Sequence, residues 1–141
     1  MIVIGENINA TRKSIAKAIN EKDKKEIIRQ IENQDKAGAH YIDLNAGCNE
    51  GNNQNEMDNM KWLIDIALEC TQKKICIDSS HTKVIEEAAI YLEKRRDFMI
   101  NSCKLDEKIL SEILPIVKEY DVPVVALAMD HEGIPETAPE R

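Results

Sequence analysis

At 141 residues, 43% of them hydrophobic and 32% charged, the chain is long enough for one domain with a real core. A net charge of −7 argues against unassisted binding to nucleic acid, since no basic excess exists to displace counterions from phosphates. No apolar run nears the roughly 20 residues that span a bilayer. The start, Met1-Ile2-Val3-Ile4-Gly5-Glu6, has no basic segment and no long apolar one, so a cytoplasmic protein without membrane attachment is expected.

Ile2-Val3-Ile4 reads as a short buried strand running into the polar stretch Gly5-Glu6-Asn7-Ile8-Asn9, with Gly5 as a hinge. From Lys24 to Ala37 the residues Ile27, Ile28 and Ile31 keep helical spacing, and Gly38 stands where a helix C-terminal glycine belongs. Tyr41-Ile42-Asp43-Leu44-Asn45 follows as a strand, whose period of two places Asp43 and Asn45 on one face. Ala46 to Asn55 is rich in glycine and asparagine, hence a loop. An amphipathic helix is predicted over 56–71, with Met60, Leu63, Ile64, Ala67 and Leu68 inward and Trp62 in the core.

Lys74-Ile75-Cys76-Ile77 is too short for a helix and reads as a buried strand, ended by Asp78-Ser79-Ser80. Polar side chains at the carboxyl ends of parallel strands face one shared crevice, which makes Asp78 a candidate binding residue. Capping of the next helix is the competing account of Asp78, and the preferred one for Ser79 and Ser80. Residues 82–94 form that helix, with Val84, Ile85, Ala88, Ala89 and Leu92 on one side. Phe98-Met99-Ile100-Asn101-Ser102 is another apolar strand stopped by a polar residue. A helix over 106–120 carries Ile109, Leu110, Ile113, Leu114 and Val117 inward, and Pro115 predicts a kink or break within it. The last strand covers 122–129.

Cys48, Cys70, Cys76 and Cys103 show no Cys-x-x-Cys pairing and read as free thiols, and His40, His81 and His131 are scattered, so spacing implies no metal. Alternation of strand and helix, with strands apolar throughout, predicts an α/β fold with a parallel sheet. Two architectures satisfy this: an open doubly wound sheet, or part of a (β/α)8 barrel. A dinucleotide-binding version is disfavoured, because no Gly-x-Gly-x-x-Gly follows the first strand.

In order, the segments Gly5-Glu6-Asn7-Ile8-Asn9, Ile42-Asp43-Leu44-Asn45, Cys76-Ile77-Asp78-Ser79-Ser80, Met99-Ile100-Asn101-Ser102 and Ala126-Leu127-Ala128-Met129 resemble the pterin-binding methyltransferases. The nearest likeness is to methyltetrahydrofolate:corrinoid/iron–sulfur protein methyltransferases, over the whole chain. The resemblance implies a TIM barrel with the pterin held at the carboxyl ends of the strands. It also implies transfer of the N5-methyl group of methyltetrahydrofolate to the cobalamin of a partner corrinoid protein. Asp78 and Asn101 match the family positions that hydrogen-bond the pterin, while Glu6, Asn9, Asp43 and Asn45 match the rim of the same pocket. No catalytic residue is carried over, because the family's remaining site residues lie on later strands.

A full barrel takes about 250 residues, so residues 1–141 are expected to be a single truncated domain of pterin-binding type, an incomplete TIM (β/α)8 barrel of five parallel strands. Its edge strands predict a homo-oligomer or a complementing C-terminal half. The alternatives are a non-catalytic pterin-binding or assembly module, and a dihydropteroate synthase-like enzyme. Against the latter, that enzyme's second strand runs into a Gly-Glu-Ser/Thr-Arg stretch, where this chain has Asn45-Ala46-Gly47-Cys48-Asn49.

Overall fold

The computed structural model describes residues 1–47, 53–130, 133, 134 and 137. Strands β1 (Ile4–Asn9), β2 (Tyr41–Asn45), β3 (Lys74–Asp78), β4 (Phe98–Leu105) and β5 (Val124–Asp130) are joined through α1 (Lys13–Asn20), α2 (Lys24–Lys36), α3 (Asn53–Cys70), α4 (Thr82–Leu92) and α5 (Glu107–Tyr120). The strands pair in parallel in the order β1-β2-β3-β4-β5. Crossovers of one hand that always advance in one direction stack every helix on one face of the sheet. Ile42, Leu44, Ile75, Ile77 and Ile100 accordingly bury against Ile27, Ile31, Leu63, Ile64, Val84, Ile85, Ala88 and Ala89 on that side. A separate small cluster of Tyr41, Cys76 and Met99, flanked by Ile4 and Val125, occupies the opposite face. A doubly wound sheet would reverse its strand order and carry helices on both faces. The fold is therefore a five-stranded segment of a (β/α)8 barrel, with β1 and β5 as edges among the described residues.

Burial of each large core side chain contributes roughly 1.5–3 kcal/mol, and α4 shows how the spacing selects the face. Val84, Ile85, Ala88, Ala89 and Leu92, all on one side at helical period, are all buried. In α3, Met60, Leu63, Ile64 and Ala67 are buried, while Leu68 and Trp62 are partly buried against the same core. The glycine expected after α2 is in place: Gly38 has φ +88°, a left-handed conformation suited to a residue without Cβ.

Several expectations need correction. The first strand runs Ile4–Asn9, with Ile2 and Val3 exposed before it, so the polar stretch is strand rather than loop. Asn9 of this strand stands in register with Asn45, on the far side of the sheet, which a buried-strand pattern does not anticipate. Gly5 is no hinge: a Cβ there would lie 2.5 Å from Gln34 Oε1, the atom that accepts the Asn7 amide at 2.8 Å, so glycine makes room for a cross-element hydrogen bond. The eight-residue α1 has no counterpart among the expected elements, because only Ile15, Ala18 and Ile19 bury its inner face. In α5 the helix runs unbroken through exposed Pro115, and Ile116 rather than Leu114 turns inward. Much of the loop expected over 46–55, together with Cys48 and His131, lies outside the described residues.

Candidate functional site

Strand periodicity and lateral register together build the site. Asn9 is the partner of Asn45, Asn45 of Asp78, and Asp78 of Asn101, so four polar residues form one row across four adjacent strands. Three interstrand steps of about 4.8 Å make that row about 14 Å wide. It lies at the carboxyl ends of the strands, on the face away from the helices, where barrel enzymes keep their chemistry. One step deeper on the same face, Asp43 is laterally paired with Cys76, and Cys76 with Met99.

The members are joined crosswise. Asn45 Nδ2 donates to Asp78 Oδ2 at 2.9 Å, and Asn101 Nδ2 donates to Asp43 Oδ2 at 3.1 Å. Each amide thus spends a donor on a carboxylate of another strand, which fixes its orientation and leaves the Asn101 carbonyl able to accept. Asp43 is 1% exposed, and its Oδ1 has no hydrogen-bond partner of ordinary geometry among the described residues. The Cys76 thiol beside it is a weak donor that favours the charged carboxylate without satisfying that oxygen.

Burial raises the Asp43 carboxyl to about 6; the Asn101 and Cys76 contacts oppose the rise, and the Asp78 and Glu6 charges add to it. Burial likewise pushes Asp78 above its ordinary value, opposed by Asn45 and reinforced by the charges of Glu6 and Glu56. The Cys76 thiol is held up by burial and by Asp43, so it stays protonated. A half-buried mouth with several carboxylates in mutual repulsion is primed to accept N–H donors from a ligand.

Of the six residues expected at the site, Asp43, Asn45, Asp78 and Asn101 are brought together and bonded in two pairs, Asn45 with Asp78 and Asn101 with Asp43. Glu6 is exposed and acts on the two aspartates through its charge. Asn9 stands in the row, but its side-chain oxygen is taken by Thr11, whose amide and hydroxyl donate at 2.9 and 2.7 Å.

Glu56 is a participant that sequence reasoning missed. It is 8% exposed and accepts the Ser79 hydroxyl at 2.5 Å, while His81 Nδ1 lies 2.9 Å from its other oxygen and the His81 amide donates to Ser79 Oγ at 3.0 Å. Ser79 therefore ties the β3–α4 turn to α3 and does not cap α4, whose N-cap is His81 with no side-chain cap bond. No local pattern announces a contact between residues 56 and 79, and only the packing of α3 against β2 and α4 creates it. Glu56→Ala is expected to cost about 1.5 kcal/mol in chemical denaturation, with Glu56→Gln recovering part. An alanine variant of unchanged stability would show that the turn holds itself.

Two clefts of about 350 Å3 flank the sheet. One lies at the amino ends of the strands, around Tyr41, Lys74, Phe98 and Tyr120, far from the polar row. The other includes Asp78 itself, together with Ser79, Ser102 and Lys104.

Comparison with known proteins agrees with this geometry. A family model described as "Pterin binding enzyme" matches residues 5–141. The chain is 32% identical over 143 residues to a methylcorrinoid:tetrahydrofolate methyltransferase of Eubacterium limosum, covering 100% of this chain and 51% of that protein. It is 28% identical over 147 residues to the methionine synthase of Mycobacterium tuberculosis, covering 100% of this chain and 12% of that protein. The chain thus spans about half the length of the first relative and a small part of the second. Among the described residues no helix is long and apolar enough to cross a membrane.

Proposed function

Because this chain belongs to the family of pterin-binding enzymes, we propose that it binds the pterin of methyltetrahydrofolate across the row Asn45, Asp78 and Asn101. In this reading it serves methyl transfer between that folate and the cobalamin of a corrinoid protein. The observation that carries the reading is the lateral row itself, whose carboxylate and carboxamides share one open face. A pterin edge presents amide-like donors and acceptors. The Asp78 carboxylate takes the donors, and Asn101 offers a carbonyl whose orientation is fixed by its bond to Asp43.

A tertiary amine leaves poorly, so N5 of the folate needs a proton or hydrogen bond as the methyl departs; no described residue is assigned that task. The Eubacterium limosum relative is named for transfer from a methylcorrinoid to tetrahydrofolate. The reverse direction uses the same two partners, and one pocket must hold the folate with and without its methyl group. Calorimetry with methyltetrahydrofolate tests binding, repeated with Asp78→Ala and Asn101→Ala. An assay with reduced cobalamin then separates an enzyme from a binding module. Wild-type affinity unchanged by both substitutions rejects the reading.

The proposal extends to assembly. Residues 1–141 act as one pterin-binding domain whose sheet is closed by strands of a second copy or of a complementing half. Unpaired edge strands favour such pairing: β5 exposes Ala126, Leu127 and Ala128, and neither β1 nor β5 has an outer neighbour among the described residues. Light scattering on the 141-residue chain is expected to show association. A stable monomer with one cooperative unfolding transition overturns this part alone.

A further inference from the structure

The cleft beside Asp78 holds more than a ring-binding row requires. Lys104, on β4 three residues beyond Asn101, is the one cation lining it among the described residues. None of the described ion pairs uses Lys104, although the chain carries a net charge of −7. Hydroxyls of Ser80 and Ser102 share the wall with Lys104, and Ile109 and Leu127 supply an apolar side. A half-buried ammonium with no ion pair among the described residues, lining a cavity of about 350 Å3, is a candidate partner for an anion.

Nearby, the mouth is negative. Glu6 and Asp78 each raise the proton affinity of Asp43, and Glu6 does the same for Asp78. An anionic group would be repelled from the row and drawn to Lys104. A ligand fitting both places has a flat donor-bearing ring at one end, an apolar middle and a carboxylate at the other. That is the construction of a folate: pterin, aryl amide, glutamate.

Resting on the pterin reading above, we infer that Lys104 and the cleft it lines form a subsite for the carboxylate tail of the folate, discriminating tailed folates from bare pterins. Asp78 stands at the junction, lining the cleft and belonging to the row.

The test titrates the 141-residue chain with three probes: a methylated tetrahydropterin without tail, methyltetrahydrofolate, and a polyglutamylated methyltetrahydrofolate. The wild-type protein is expected to bind the two tailed probes about tenfold more tightly than the bare pterin. Lys104→Ala should shrink that ratio to about twofold or less without changing affinity for the bare pterin, and Lys104→Arg should restore it. Rising salt should erode the wild-type ratio as well. A wild-type protein indifferent to the tail, or a Lys104→Ala variant that keeps the full ratio, overturns the subsite while leaving the pterin reading intact. Failure of the bare pterin and the folates alike to bind the wild-type chain sinks the pterin reading, and the subsite with it.

Discussion

Replacing Asp78 by alanine is expected to weaken methyltetrahydrofolate binding about a hundredfold, measured by calorimetry at neutral pH. The magnitude follows from the bonds at stake. A carboxylate accepting two ligand N–H donors contributes about 1.5 kcal/mol or more per bond to a charged group, and each 1.4 kcal/mol is tenfold in affinity. The substitution also leaves Asn45 Nδ2 without its acceptor, which loosens the neighbouring amide of the same row. Asp78→Asn keeps the shape and one acceptor, so it should recover part of the loss. Because burial holds Asp78 above its ordinary pKa, wild-type affinity should fall on acidification earlier than an exposed aspartate would cause. Stability provides the control. If Asp78→Ala unfolds at much lower denaturant concentration, a damaged sheet explains the lost binding. If stability is kept and affinity is also kept, Asp78 does not touch the ligand.

Some elements were legible in the residues and others were not, for physical reasons that differ. The α4 pattern was readable because five apolar residues at helical period all face one core, and nothing on that helix serves a second purpose. The β2 and β3 strands were readable for the same reason on their helix-facing side. β1 was misplaced because Glu6, Asn7 and Asn9 are polar, and a strand rich in such residues looks like a loop by composition. The inward turn of Ile116 instead of Leu114, two positions away, shows how the inner edge of a helix face is misjudged when both residues are apolar. At the site, Asp78 and Asn101 could be singled out from strand endings, but their lateral register could not. It depends on which residues of successive strands face each other, a property of the folded backbone. The Glu56 contacts are further still from any local rule, since they join a helix start to a turn 23 residues away.

The polar row costs stability, and Asp43 is where that cost concentrates. Its carboxyl is raised from 3.8 to about 6, first by burial, so the folded chain binds this proton more tightly than the unfolded chain does. Stability from the neutral form is fully present below about pH 4 and is lost as pH rises through about 6. At 1.36 kcal/mol per unit, the native state at neutral pH carries on the order of 2–3 kcal/mol of strain at this one residue. Asp43→Asn removes the charge and keeps an oxygen to accept from Asn101 and an amide beside the orphaned position. It is therefore expected to raise unfolding stability by about 2 kcal/mol above pH 6, and to change it little below pH 4. Urea unfolding of both proteins across that range checks the sign: the two stability curves should diverge as pH rises. Parallel curves would mean that Asp43 is already neutral, or already paired, throughout. In the proposed pterin site that cost has a use. A buried carboxylate held near neutrality orients Asn101 and can take up or release a proton as the ligand arrives.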